Sequence, residues 1–95
     1  MRTYEVAFIV HPELDEAALS DLVEKAQSWV TATGGQVTQV DRWGRRRLAY
    51  PIRKQIEGQY ILMHAQMSAT ATHDVERNLR LTEQVMRFQV IRTDE

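Results

Sequence analysis

Cysteine is absent from these 95 residues. That excludes a disulfide framework, a Cys-ligated zinc site and a thiol nucleophile, and it fits a reducing compartment. Long hydrophobic runs are missing too. No segment approaches the ~20 apolar residues of a membrane span. Val6 to Val10 is too short for a signal-peptide core and has Glu5 directly before it. The expectation is a soluble, cytoplasmic protein. With only four glycines, there is no Gly-rich phosphate loop, and Gly34-Gly35 lacks the nucleotide-binding pattern. The three histidines, His11, His64 and His73, fall in a loop, on a strand and in a helix, and no two have metal-ligand spacing. His73, Asp74 and Glu76 read as one solvated helix turn, and Ser20, Ser28 and Ser68 have no evident base partner. Neither a metal, a cofactor, a small-molecule substrate nor a catalytic residue is called for. No repeat, low-complexity tract or linker is visible.

What is present is a concentration of cations. Six of the twelve Lys and Arg residues lie between Arg42 and Lys54, uninterrupted by an acid and interleaved with Trp43, Leu48, Ala49 and Tyr50. Residues 13–24 carry five acids and no base, so a chain of net charge -1 is electrically two-sided. Arginine suits phosphate oxygens, and its flat face stacks on an unpaired base. The same charges also suit a solvated edge strand, where they discourage edge-to-edge pairing. With 43% apolar residues, residues 1–95 are expected to form a single domain around one core.

Periodicity orders the elements. Thr3 to Val10 reads as a strand stopped by Pro12, with Tyr4, Val6, Phe8 and Val10 on one face and Glu5, Ala7 and Ile9 on the other. Both faces are largely apolar, as in a central strand. Asp15 is a plausible N-cap for a helix to about Thr33, with Leu19, Leu22, Val23, Ala26 and Val30 as its buried stripe and Gly34-Gly35 as its left-handed stop. Gln36 to about Ile52 reads as one long edge strand. Gly44 marks a bulge or bend in it, and Pro51 excludes a central position. A loop is expected over Arg53 to Gly58. A third strand follows over Gln59 to Met67, with Ile61, Met63, Ala65 and Met67 on one face. A second helix is expected from Ala71 to about Leu81, capped by Thr70 or Thr72, with Val75, Leu79 and Leu81 as its stripe. Val85 to Arg92 is the last strand. The order βαββαβ implies an α+β, ferredoxin-like fold: a four-stranded antiparallel sheet with two helices on one face.

Two helices cover only one sheet face. The other is expected to carry Ala7, Ile9, Tyr60, Leu62, His64 and Ile91, more apolar than a water-facing surface and so a binding surface. Readers of single-stranded RNA stack bases on this face of the same fold. With Tyr60 as the aromatic there, a protein partner is the better reading. A stand-alone RNA-binding module is the second. A hydrolase of acylphosphatase type is the third, without that enzyme's anion loop after the first strand.

The chain resembles the bacterial small-subunit ribosomal protein six family. The resemblance is carried by Met1-Arg2-Thr3-Tyr4-Glu5-Val6, by Pro12-Glu13-Leu14-Asp15, and by Trp43 to Lys54 with Gly58-Gln59-Tyr60 following. Leu79-Arg80-Leu81 and Val85-Met86-Arg87-Phe88 also fit. It covers essentially the whole chain. The resemblance implies a non-enzymatic structural component of the cytoplasmic ribosome. It also implies pairing with small-subunit ribosomal protein eighteen and binding of the pair to the central domain of small-subunit ribosomal RNA. Arg2, Arg45, Arg46, Arg47, Arg80 and Arg87 match basic positions of the family and are candidate RNA or partner-edge contacts. Candidate partner contacts are Ala7, Ile9, Leu48, Tyr50, Tyr60, Leu62 and Ile91. Many members continue into a polar or acidic tail, whereas this sequence stops at Asp94-Glu95, so a tail-borne function is not expected of it.

Overall fold

A computed structural model describes residues 1–93; Asp94-Glu95, on which the expectation about the tail falls, lie outside the described residues. The elements run β1 (Arg2–Val10), α1 (Glu16–Ala32), β2 (Gln36–Ile52), β3 (Gln55–Met67), α2 (Ala69–Leu81) and β4 (Val85–Arg92). The four strands form one antiparallel sheet in the order β2-β3-β1-β4. This is the ferredoxin-like arrangement, with β1 and β3 central and β2 and β4 at the edges.

Alternation along the central strands builds the core. Val6, Phe8, Val10, Met63, Ala65 and Met67 are fully buried beneath Leu19, Leu22, Val23, Ala26 and Val30 of α1 and Val75 and Leu79 of α2. Asp15 caps α1, its Oδ1 accepting from the Ala18 N–H at 2.8 Å. Gly34 follows the helix with φ +87°, a conformation that glycine adopts without steric cost.

The second helix starts earlier than its periodicity suggests. Ser68, not Thr70 or Thr72, is the N-cap, its Oγ accepting from the Ala71 N–H at 3.1 Å. Thr72 is buried and donates its hydroxyl to the Ala69 carbonyl. Three hydroxyl residues compete within Ser68-Ala69-Thr70-Ala71-Thr72. The choice follows from Met67, whose buried side chain ends β3 immediately before Ser68. Leu81 is 75% exposed and does not belong to the stripe; it closes the helix on the face away from Val75 and Leu79.

The hairpin is tighter than the expected loop. Only Arg53 and Lys54 lie between the strands, at φ +50° and +66°, and Ile52 pairs with Gln55. A two-residue turn with both φ positive matches the twist of its strands. Asn-Gly usually announces such a turn, so Arg-Lys hid it. Within β2 the register against β3 slips between Arg42 and Gly44, where Gly44 has φ +79°, the conformation that a glycine bulge uses.

Gly58 is fixed by packing. An added Cβ there would lie 2.4 Å from Cγ2 of Ile9 and 3.7 Å from Cδ2 of Leu48. Ile9 thus rests on the bare backbone of β3, and Leu48 lies against the same point. Gly58→Ala is expected to cost about 1–3 kcal/mol by overpacking. Trimming Ile9 to Ala in the same chain should recover part of that loss. Chemical denaturation of the two single variants and the double checks this, and strictly additive effects would contradict the contact.

Candidate functional site

The open face is built from three cross-strand rows over β3, β1 and β4. Register sets Tyr60 beside Ile9 beside Arg87, then Leu62 beside Ala7 beside Gln89, then His64 beside Glu5 beside Ile91. The rows differ in character. The His64–Glu5 end is polar and acidic: Asp41 of β2 approaches Nε2 of His64 at 3.7 Å, and both its oxygens accept from Nε2 of Gln39 at 3.0 Å. The Tyr60–Ile9 end is apolar and aromatic. A hollow of about 150 Å³ opens there, lined by Ala7, Phe8, Ile9, Tyr60, Arg87 and Gln89 among others.

One aromatic was missed by alternation alone. The bulge at Gly44 turns Trp43 towards the open face, where its ring lies parallel to that of Tyr60, centroids 6.4 Å apart and 8° between planes. Trp43 remains about half exposed. The only signal in the sequence was Gly44 itself, which breaks the two-residue period at that point.

The named partner candidates do not present equally. Ala7, Ile9, Tyr60 and Leu62 are half-buried, and Ile91 and Tyr50 are exposed. Leu48 is buried against the Ile9–Gly58 contact. Its side chain supports the surface from within and offers little area to a partner.

Packing sorts the arginines into committed and free. Arg42 pairs with Glu16 of α1, Nη2 to Oε2 at 2.8 Å. Arg45 donates to the Pro12 carbonyl at 2.7 Å and lies 3.7 Å from Glu57. Arg53 donates to the Glu83 carbonyl at 2.9 Å. Arg46 and Arg47 are exposed, and among the described residues neither is held by an acid. Arg80 lies 5.7 Å over the Phe88 ring. Arg87 lies 5.7 Å over the Tyr50 ring and donates to its hydroxyl.

The six arginines named from the sequence are therefore not one patch. Arg45, Arg46 and Arg47 cluster level with the end of β1, since Arg45 and Val10 share Gln59 as register partner. Arg2 pairs with Met67 at the opposite end, roughly 26 Å away at about 3.3 Å per residue. Arg80 belongs to the last turn of α2.

Such an arrangement defines a class: a ferredoxin-like split β-α-β protein with an apolar open sheet face flanked by a basic edge hairpin. Comparison with known proteins narrows it to a family. The model of the family described as ribosomal protein S6 matches residues 3–92. The small ribosomal subunit protein bS6 of Caldanaerobacter subterraneus subsp. tengcongensis is 40% identical over 95 residues, covering all of both chains. That of Clostridium novyi is 45% identical over 91 residues, 96% of each chain. The crystal structure of 30S ribosomal protein S6 from Thermotoga maritima superposes with a TM-score of 0.92 at 30% identity, covering 97% of this chain and 87% of that one. The chain belongs to the ribosomal protein S6 family. It is a structural protein of the bacterial small ribosomal subunit, located in the cytoplasmic ribosome, and the family is not enzymatic.

The Glu16–Arg42 pair ties the acidic start of α1 to the basic strand. The Arg42 hydrogen bond, then its charge, then the Ser20 hydroxyl hold the Glu16 carboxyl below the ordinary glutamate value. A carboxyl lowered by folding stabilises the native state above its ordinary range, and that contribution fades as pH falls through the lowered value. Because Glu16 is largely exposed, the effect is small. An NMR titration should show its midpoint returning to the ordinary glutamate range in Arg42→Gln; an unmoved midpoint would rule out the pair as the cause.

Proposed function

We propose that this protein binds the central domain of small-subunit ribosomal RNA cooperatively with small-subunit ribosomal protein eighteen, residues 1–95 acting as one domain. The family resemblance supplies the identity of both partners. The observation that carries the reading is the adjacency of two unlike surfaces. One is an apolar sheet face with an acidic corner at Glu5 and Asp41. The other is a hairpin edge whose Arg46 and Arg47 are exposed and held by no acid. The apolar face supports a protein partner at Ala7, Ile9, Tyr60, Leu62 and Ile91, with Tyr50 at its border and Trp43 as an addition. Its acidic corner favours a partner carrying positive charge. The arginines Arg45, Arg46 and Arg47, with Arg2, Arg80 and Arg87 beyond them, support phosphate contact, which sets position and makes affinity salt-dependent.

The division of the arginines refines this. Arg45 anchors the hairpin to the β1–α1 loop through the Pro12 carbonyl, so its removal should cost stability as well as RNA affinity. Arg46 and Arg47 carry the cleaner phosphate role. A second reading, an RNA module acting alone through its sheet, gains one supporting observation from the Trp43–Tyr60 stack, since aromatic rings are platforms for unpaired bases.

Binding to a central-domain RNA fragment, with and without protein eighteen across a salt series, separates the readings. Tight, salt-sensitive binding only with the partner is expected. Equal binding without it would favour the module acting alone. Replacing Arg46 and Arg47 with Ala should lower the slope of log affinity against log salt by roughly 1.5, at about 0.7–0.9 per lost phosphate contact. A folded variant with an unchanged slope would remove them as phosphate contacts.

A further inference from the structure

The edge strands β2 and β4 lie at opposite sides of the sheet, yet the outer end of β2 touches β4. Past Arg47 the ladder between β2 and β3 is irregular and resumes only at Ile52, paired with Gln55. The residues between them are therefore not positioned by regular pairing with β3. Leu48 is buried at the root of this tip. Two contacts carry the rest across: Arg53 donates to the Glu83 carbonyl in the turn before β4, and Arg87 of β4 donates to the Tyr50 hydroxyl while lying over its ring. Arg87 also lines the open-face hollow together with Ile9 and Tyr60.

Tyr50 is a partner candidate and Arg87 an RNA candidate, and in the free chain each occupies the other. We propose that the Tyr50–Arg87 contact is a latch that couples the two binding events: Tyr50 holds Arg87 back from phosphate, and a protein partner that takes up Tyr50 releases Arg87 to RNA. This rests on the reading above that RNA and a protein partner bind together. The physical basis is competition for donors. A guanidinium over a tyrosine ring, with an Nη committed to its hydroxyl, cannot at the same time present both Nη groups to a phosphate. Both ligands then favour the unlatched form, and two ligands favouring one form help each other by the same factor. Tyr50 is thus a positioning residue for Arg87, and cooperativity needs no direct contact between RNA and partner.

The latch makes a numerical demand. When RNA binds only the unlatched form, its affinity without partner is reduced by the unlatched fraction, and a saturating partner removes that reduction. Weakening the latch must therefore raise partner-free RNA affinity by the same factor by which it lowers the partner's effect. Tyr50→Phe is the variant of choice, because it keeps the ring and loses the hydroxyl. RNA binding by this variant and the unmodified chain would be measured alone and with saturating protein eighteen, together with hydrogen exchange of the amides of residues 48–54. The expected result is a partner-free affinity about threefold higher in the variant, the order of one lost hydrogen bond at an exposed site. The gap between the two chains should close at saturating partner, and tip exchange should be faster. Unchanged or weaker partner-free affinity in a folded variant, or unaltered tip exchange, overturns the latch while the partner effect in the unmodified chain stands. No partner effect in the unmodified chain overturns the cooperative reading itself, and the latch with it.

Discussion

Gly44 takes φ +79° midway along a seventeen-residue edge strand, and the register of β2 against β3 slips there. A strand of that length cannot stay flat against a four-stranded sheet without exposing a long open edge, and the slip bends it. Trp43 turns onto Tyr60 at this slip, and a second irregularity past Arg47 accompanies the burial of Leu48 by the Ile9–Gly58 contact and the reach of the tip to β4. Gly58 is the complementary requirement on the facing strand, since a Cβ there would occupy the space that Ile9 fills. Two glycines on paired strands thus shape the open face, one through its φ and the other through what it lacks.

The electrical asymmetry of the chain is converted by packing into two kinds of arginine. Glu16, in the first turn of α1, takes Arg42 of β2. The β1–α1 loop takes Arg45 through a carbonyl. These cations hold the hairpin to the body of the protein. Arg46 and Arg47, on the same strand, are left exposed to solvent. A count of positive residues overstates the charge available to a polyanion, because contacts with acids, carbonyls and rings already use part of it. The same sorting explains how a protein of net charge -1 can present a positive edge: many of its acids sit elsewhere, among them Glu16, Asp21 and Glu24 on α1 and Glu5 and Asp41 at the far corner of the sheet.

The open face is likewise not uniform. Its rows run from an acidic corner at His64, Glu5 and Asp41 to an aromatic and basic corner at Tyr60, Tyr50 and Arg87. A partner lying across it meets a gradient of charge as well as an apolar area, which orients docking more strongly than apolar contact alone.

By itself the sequence determined the element order, the limits of β2 and β4, the capping of α1 by Asp15 and the membership of the buried stripe of α1. Each of these rests on periods of two or about 3.6 residues and on local cap chemistry, which neighbouring residues suffice to specify. It already carried the candidate arginines and the apolar open face, but as one undivided set. Local signals failed where several residues could serve, as with Ser68 among three hydroxyl residues, or where an unusual pair did the work, as with Arg53-Lys54. Only the tertiary structure decided which arginines are committed, that Leu48 is buried, that Trp43 stacks on Tyr60 and that Tyr50 meets Arg87. Those outcomes depend on contacts between residues far apart in the chain, 37 positions for Tyr50 and Arg87. They become readable only after the sheet has set its register and β2 has bent.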